Sequence, residues 1–208
     1  SSFENNTVTE GEGAAARIPA SLLGSLSDTS SFAGNSDDFI RVPSETLEAN
    51  DHTWPALDVP YRLFGQVNIE GDAFVTIAAG ATLEFDSGVG FNVQGGKLTA
   101  QGTSDSKITF RGVEDLEAYW KGIQYRDTVS ADNVLDHVLI TNAASGSFQG
   151  AGTGALVLNS SGANGEPVRI SLSNLEITKF APNSAVYVES DTTIDRSEER
   201  RVGKECIV

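Results

Sequence analysis

The sequence has no methionine, one cysteine (Cys206) and two histidines (His52 and His137) in 208 residues. A single cysteine excludes a disulfide framework and any site that needs several thiolate ligands. Two histidines argue against a histidine-rich metal centre. Basic residues are also few, 14 against 29 acidic ones, for a net charge of -15. A nucleic-acid binder held by phosphate contacts needs a basic face, so that class of partner is not expected. No apolar run approaches the roughly 18 residues of a membrane-spanning helix, so membrane insertion is not expected either. The chain opens with Ser1 in a polar stretch. We therefore expect a fragment of a longer protein, with any signal peptide outside it.

What is present is a 39% hydrophobic fraction, enough for a sizeable core, and 21 glycines, which fit many turns or corners. Between residues 61 and 190 the chain is a series of short runs rich in Val, Ile, Leu, Phe and Thr. Gly, Asn, Asp or Ser bound them. Val67 to Ile69, Val75 to Ile77, Thr82 to Phe85, Phe91 to Val93, Lys97 to Ala100 and Ile108 to Phe110 come first. Gly122 to Tyr125, Val134 to Thr141, Ala155 to Leu158, Val168 to Leu172, Leu175 to Thr178 and Ala185 to Val188 follow. No helical period runs through this region.

Runs at 91–93, 122–125, 155–158 and 185–188 recur at intervals of roughly 30 residues, as in solenoids or propellers. One segment repeats openly: Leu135 to Thr141 matches Leu172 to Thr178. Propeller blades need hairpin turns, yet Asn-Gly occurs once, at 164–165. A parallel coil needs corners instead, and Gly and Asn supply the left-handed conformations that corners use. Inward aliphatics would then stack from turn to turn. Ile77, Leu83, Phe85, Val93, Ile108, Phe110, Ile123, Val138, Ile140, Leu156, Leu158, Ile177 and Val186 are the expected core. Cut ends would leave unpaired strand edges that favour association.

The residues 75–85 (Val-Thr-Ile-Ala-Ala-Gly-Ala-Thr-Leu-Glu-Phe), preceded by Pro60-Tyr61-Arg62-Leu63, resemble the entry rungs of bacterial right-handed parallel β-helix repeat proteins of the pectin-lyase-like kind. Leu98 to Thr103, Ile108 to Phe110, Tyr119 to Ile123 and Asn133 to Val138 continue the likeness over about 61–190. The resemblance implies an all-β, right-handed parallel β-helix. It implies no active site, because proteins of this pattern are mostly uncharacterised secreted or surface proteins.

Residues 1–43 read as the end of a preceding β-helix module and a connecting loop. Ala14 to Ile18, ending at Pro19, and Phe39 to Val42 are the expected short strands there, and Pro19 to Leu26 a helical turn. Residues 44–60 contain two prolines and read as a linker. Residues 61–195 are the truncated module. The string from Arg196 to Cys206 looks like the in-frame translation of a DNA-sequencing adapter, so 196–208 is expected to add nothing to the fold, and Cys206 receives no catalytic role.

Several constellations were candidates for chemistry. Trp120 beside the acidic loop Glu114-Asp115-Leu116-Glu117 could form a sugar platform, or simply cover the wall. Asp136 and His137 are adjacent on a strand, where neighbours point to opposite faces, so they are not expected to form a dyad. His52 receives no role. Pectate lyases carry Trp-x-Asp-His and Arg-x-Pro-x-x-Arg. Here Val134 stands at the Trp position, and Leu22 and Thr46 stand where the final Arg of the Arg17 and Arg41 half-motifs belongs. The Gly-His-Gly and Arg-x-Lys of galacturonases are absent. The coil's arginines, Arg62, Arg111, Arg126 and Arg169, lie in separate runs, and the paired Asp37 and Asp38 lie in a loop outside it. A structural calcium ion could draw on Glu114, Asp115 and Glu117, or on Asp127 and Asp132, but neither set matches a calcium-loop motif. No threonine rank of the ice-binding kind and no phosphate-binding loop occurs.

The sequence therefore predicts no catalytic, cofactor-binding or metal residues. It predicts an acidic, non-enzymatic, secreted or cell-surface module with a structural or adhesive role. The expected partner is a polysaccharide or cell-surface glycan on an outer face. The alternative is a carbohydrate-active enzyme of the same fold, a polysaccharide lyase or glycoside hydrolase.

Overall fold

A computed structural model describes residues 13–148, 151–160, 167–180, 184–189, 192–196, 200–202 and 205–207. Strands make up 49% and helix 4%, so the chain is all-β. The first strands are β1 (Ala14–Arg17), β2 (Asp37–Val42), β3 (Glu45–Leu47), β4 (Asp51–Trp54), β5 (Tyr61–Leu63), β6 (Val67–Glu70), β7 (Phe74–Ile77), β8 (Thr82–Phe85) and β9 (Gly90–Gln94). Then come β10 (Lys97–Gln101), β11 (Ile108–Gly112), β12 (Gly122–Arg126), β13 (Val134–Thr141), β14 (Leu156–Asn159), β15 (Val168–Thr178), β16 (Val186–Val188), β17 (Thr192–Arg196), β18 (Arg200–Val202) and β19 (Glu205–Ile207). A 3-10 helix spans Ala20–Ser25.

The strands form two sheets. Stack A is a six-stranded sheet in the order β16-β14-β12-β9-β6-β3, every pairing parallel. The other sheet has two arms. Arm B runs β4-β7-β10, and arm C runs β1-β2-β5-β8-β11. Both end on β13, whose first half pairs with β10 and second half with β11. β15 pairs with β13 along its length, and the larger sheet is curled. At the bend His137 and Asn174 take left-handed conformations, φ 50 and 48. The chain visits C, A and B in turn from β2 to β10. Parallel neighbours cannot be joined by hairpins, which is why corner residues and not Asn-Gly turns punctuate the sequence. Among the described residues, antiparallel strand pairs are confined to β18 with β19 and β19 with β15. The side chains of Val202 and Ile207, expected to stay out of the core, lie outside the described residues.

The expected linker at 44–60 is corrected. It carries β3 and β4, which pair with β6 and β7. β2 likewise pairs with β5, and β1 with β2. Residues 14–43 therefore join this sheet rather than closing another module. The two prolines that read as a linker, Pro55 and Pro60, and Pro43 before them stand just outside strands, where a missing N–H costs no ladder bond. The helical turn lies over this end. Ser21 donates to Glu45 through both N–H and hydroxyl, at 3.1 and 2.7 Å, and Gly24 packs on the Thr53 carbonyl.

Alternation along each strand sends one set of side chains inward. In β6, Val67 and Ile69 are buried while Asn68 and Glu70 face outward. The expected core residues are buried, except Val186, which is half-buried. Aromatic rings join them. Trp54 contacts Tyr61 and Phe91, and Phe85 contacts Phe91, Phe110 and Trp120. No helix among the described residues is long and apolar enough to cross a membrane.

Candidate functional site

The outer face of stack A forms a grid. Register places Gly90 and Gly122 in one row, Asn68, Asn92 and Gln124 in the next, and Glu70, Gln94 and Arg126 in the third. A groove of about 340 Å³ lies over this grid, bordered by Lys121 and Phe148. The bare row has a packing reason. A Cβ on Gly90 would lie 2.6 Å from the Phe148 ring, and one on Gly122, at φ 109, would lie 2.4 Å from the Ala155 carbonyl. The missing side chains let the loop carrying Phe148 close down as a wall.

The amides form an incomplete ladder. Gln66 donates to Asn68 Oδ1 at 2.6 Å, Asn92 to the same oxygen at 3.4 Å, and Asn68 to Thr46 at 3.2 Å. Gln124 donates the other way, to Asn159 Oδ1 at 2.7 Å. Donor direction thus diverges between Asn92 and Gln124. Asn92 is buried, and its Oδ1 accepts no hydrogen bond. A buried polar atom without a partner is uncommon and costly. Arg126 Nε lies 3.3 Å from Asp127. Glu70 is the one carboxylate lining this groove.

A second groove, of about 570 Å³, lies on arm C. Lys179 binds both oxygens of Asp115, at 2.5 and 2.6 Å, and the buried Asn142 donates to Asp115 at 3.1 Å. These hydrogen bonds, with the lysine charge, hold the Asp115 carboxyl below the usual range. Both of its carboxylate oxygens are hydrogen-bonded.

The corner of β13 overturns one expectation. Asp136 and His137 do meet, with Nδ1 at 3.0 Å from Oδ1. The left-handed φ of His137 breaks the strand alternation on which the contrary expectation rested. Ser173 and Asn174 of the next turn donate to the same Oδ1, at 2.7 and 2.9 Å. Burial works to raise the Asp136 pKa, but the hydrogen bonds from Asn174, Ser173 and His137 outweigh it, and the carboxyl is held low. Ser173 addresses the carboxylate and not the imidazole, so this is no hydrolase triad.

The other candidates disperse. Trp120 is fully buried, stacked on Phe85 at 4.0 Å, and donates to the Thr141 carbonyl. It covers the core and offers no sugar platform. Arg62 pairs with Asp86 and Arg111 with Glu84, and the Arg169 carbonyl accepts from Asn133. Asp37 and Asp38 accept from the Gly13 and Asn35 N–H groups, the latter with the Gly34 N–H lowering the Asp38 pKa. His52 contacts the Ala49 carbonyl. The Cys206 side chain lies outside the described residues. Among the described residues no three His, Cys, Asp or Glu side chains gather for a metal ion. Asp132 is bound to Ser130, and Asp127 to Arg126.

Sequence reasoning missed the amide grid. Its one signal is spacing: Asn68 and Asn92 stand 24 residues apart, the offset between the register partners of β6 and β9. No family model matches the chain, and neither does any curated protein or solved structure.

Proposed function

We propose that this chain is a non-enzymatic module of a secreted or cell-surface protein, a right-handed parallel β-helix that adheres to glycans along an outer face. The ordered visits to arm C, stack A and arm B support the coil reading, and parallel crossovers are right-handed in about 98% of cases. The observation that carries the function is the amide-lined groove on stack A. Amide side chains both donate and accept, as sugar hydroxyls do, and fix a ligand without reacting with it. Glycosidase chemistry uses two carboxylates across a cleft. Among the described residues, the groove on stack A is lined by Glu70 and the one on arm C by Asp115, one carboxylate each, which favours binding over turnover. A polymer ligand of this class is met outside the cell, consistent with an exported module.

The test is co-sedimentation with insoluble polysaccharides, alongside assays for new reducing ends and unsaturated products. Retention without turnover supports the proposal. Turnover abolished by Glu70→Gln or Asp115→Asn would replace it with the hydrolase or lyase reading.

A further inference from the structure

We infer that the groove on stack A takes a neutral, hydroxyl-rich saccharide and discriminates against uronates; this rests on the glycan-binding reading above. Three observations carry it. The first is the interrupted ladder. Asn92 and Gln124 are register neighbours, yet they donate in opposite directions and share no hydrogen bond. The Asn92 Oδ1 left between them is an acceptor without a donor. A ligand hydroxyl is the kind of donor that this oxygen lacks.

The second is the set of free groups around that break. Lys121, Gln94 and Glu70 line the groove half-buried, and their side chains make no hydrogen bond or ion pair among the described residues. Elsewhere Lys107 and Lys179 are paired. The groove thus presents free donors and free acceptors together. A hydroxyl is both at once, whereas a carboxylate only accepts.

The third is charge. Lys121 is offset by Glu70, and Arg126 by its partner Asp127. A groove neutral in sum, on a chain of net charge -15, gives a polyanion no steering attraction and a long-range repulsion. A neutral chain feels neither.

The experiment is calorimetric titration of the whole chain with cellohexaose, xylohexaose and mannohexaose, and with oligogalacturonate of matched length. At least one neutral oligosaccharide should bind, with an affinity little changed by added salt. Lys121→Ala and Gln94→Ala should each weaken it about tenfold, the worth of one ligand hydrogen bond. Lys107→Ala, at a paired site outside the groove, should leave it unchanged. Both groove positions are half-buried, and circular dichroism verifies that the variants fold. Binding of oligogalacturonate alone, lost in salt, overturns the neutral-ligand inference and leaves the glycan reading standing. Neutral binding that survives both variants removes it from this groove. No binding by any of the four sinks both readings.

Discussion

Asn133 offers the sharpest test of how successive turns are held together. It is fully buried, and two of its three side-chain hydrogen bonds reach other strands. Its Oδ1 accepts from the Leu98 N–H in β10 at 3.1 Å. Its Nδ2 donates to Thr128 Oγ1 at 2.8 Å and to the Arg169 carbonyl in β15 at 3.1 Å. One side chain therefore ties the turn before to the turn after. Asn133→Ala removes all three bonds. The Leu98 N–H, having no other partner at the strand start, costs about 1–3 kcal/mol when orphaned. The two donated bonds contribute about 0.5–1.5 kcal/mol each, since Thr128 still donates to the Gly96 carbonyl. The sum is about 2–6 kcal/mol, a large share of a typical domain's stability. Urea denaturation followed by circular dichroism measures it. A loss below about 1 kcal/mol would refute the reasoning, because it would mean that solvent reaches these groups freely. Asn133→Asp gives an independent check. The acceptor to Leu98 survives, but a second carboxylate oxygen meets the Arg169 carbonyl. Burial then raises the folded pKa of this aspartate above about 3.9. The sign follows: the variant's deficit is smallest below that pH and grows as pH rises through the folded value. A deficit that grows toward acid would contradict the geometry.

Trp120→Ala should cost about 3–5 kcal/mol in the same assay, because the ring is fully buried against Phe85; an unchanged midpoint would restore its role as an exposed platform. Ile140→Ala should cost about 2–5 kcal/mol, with less than about 0.5 counting against its place in the core. Gly122→Ala combines a φ of 109 with a Cβ 2.4 Å from the Ala155 carbonyl, and should lose at least about 2 kcal/mol; normal stability would mean the corner can be rebuilt. Asp136 has a lowered folded pKa, so its stabilisation is present above about pH 3.9 and is lost as pH falls through the folded value. Asp136→Asn should flatten the acid limb of a pH–stability profile, and an unaltered limb would place the titration elsewhere.

The strands were legible because each is short, alternates, and is bounded by corner residues. The pairing of Leu135 to Thr141 on Leu172 to Thr178 was legible as a repeat, and the register follows it residue for residue outside the bend. What was not legible depended on the third dimension. Prolines at 43, 55 and 60 look alike in a linker and at corners, and only pairing with β5, β6 and β7 tells them apart. The Asp136–His137 contact needed a left-handed φ at a residue other than Gly or Asn, which is uncommon in any chain. The amide grid is assembled from single outward residues of three strands, none of which carries a motif by itself. Trp120 and its acidic neighbours drew notice as a string, yet the ring turns inward while Asp115 turns to Lys179.

The 3-10 helix gives the molecule a direction. Between β1 and β2 the chain makes one circuit without laying down a strand on stack A or arm B; the helix stands in for both. Its contacts with Glu45 and Thr53 cover the flank of β3 and β4 that would otherwise template another strand. Deleting the helix, rather than altering any core residue, is the change that would lay those two strand edges open.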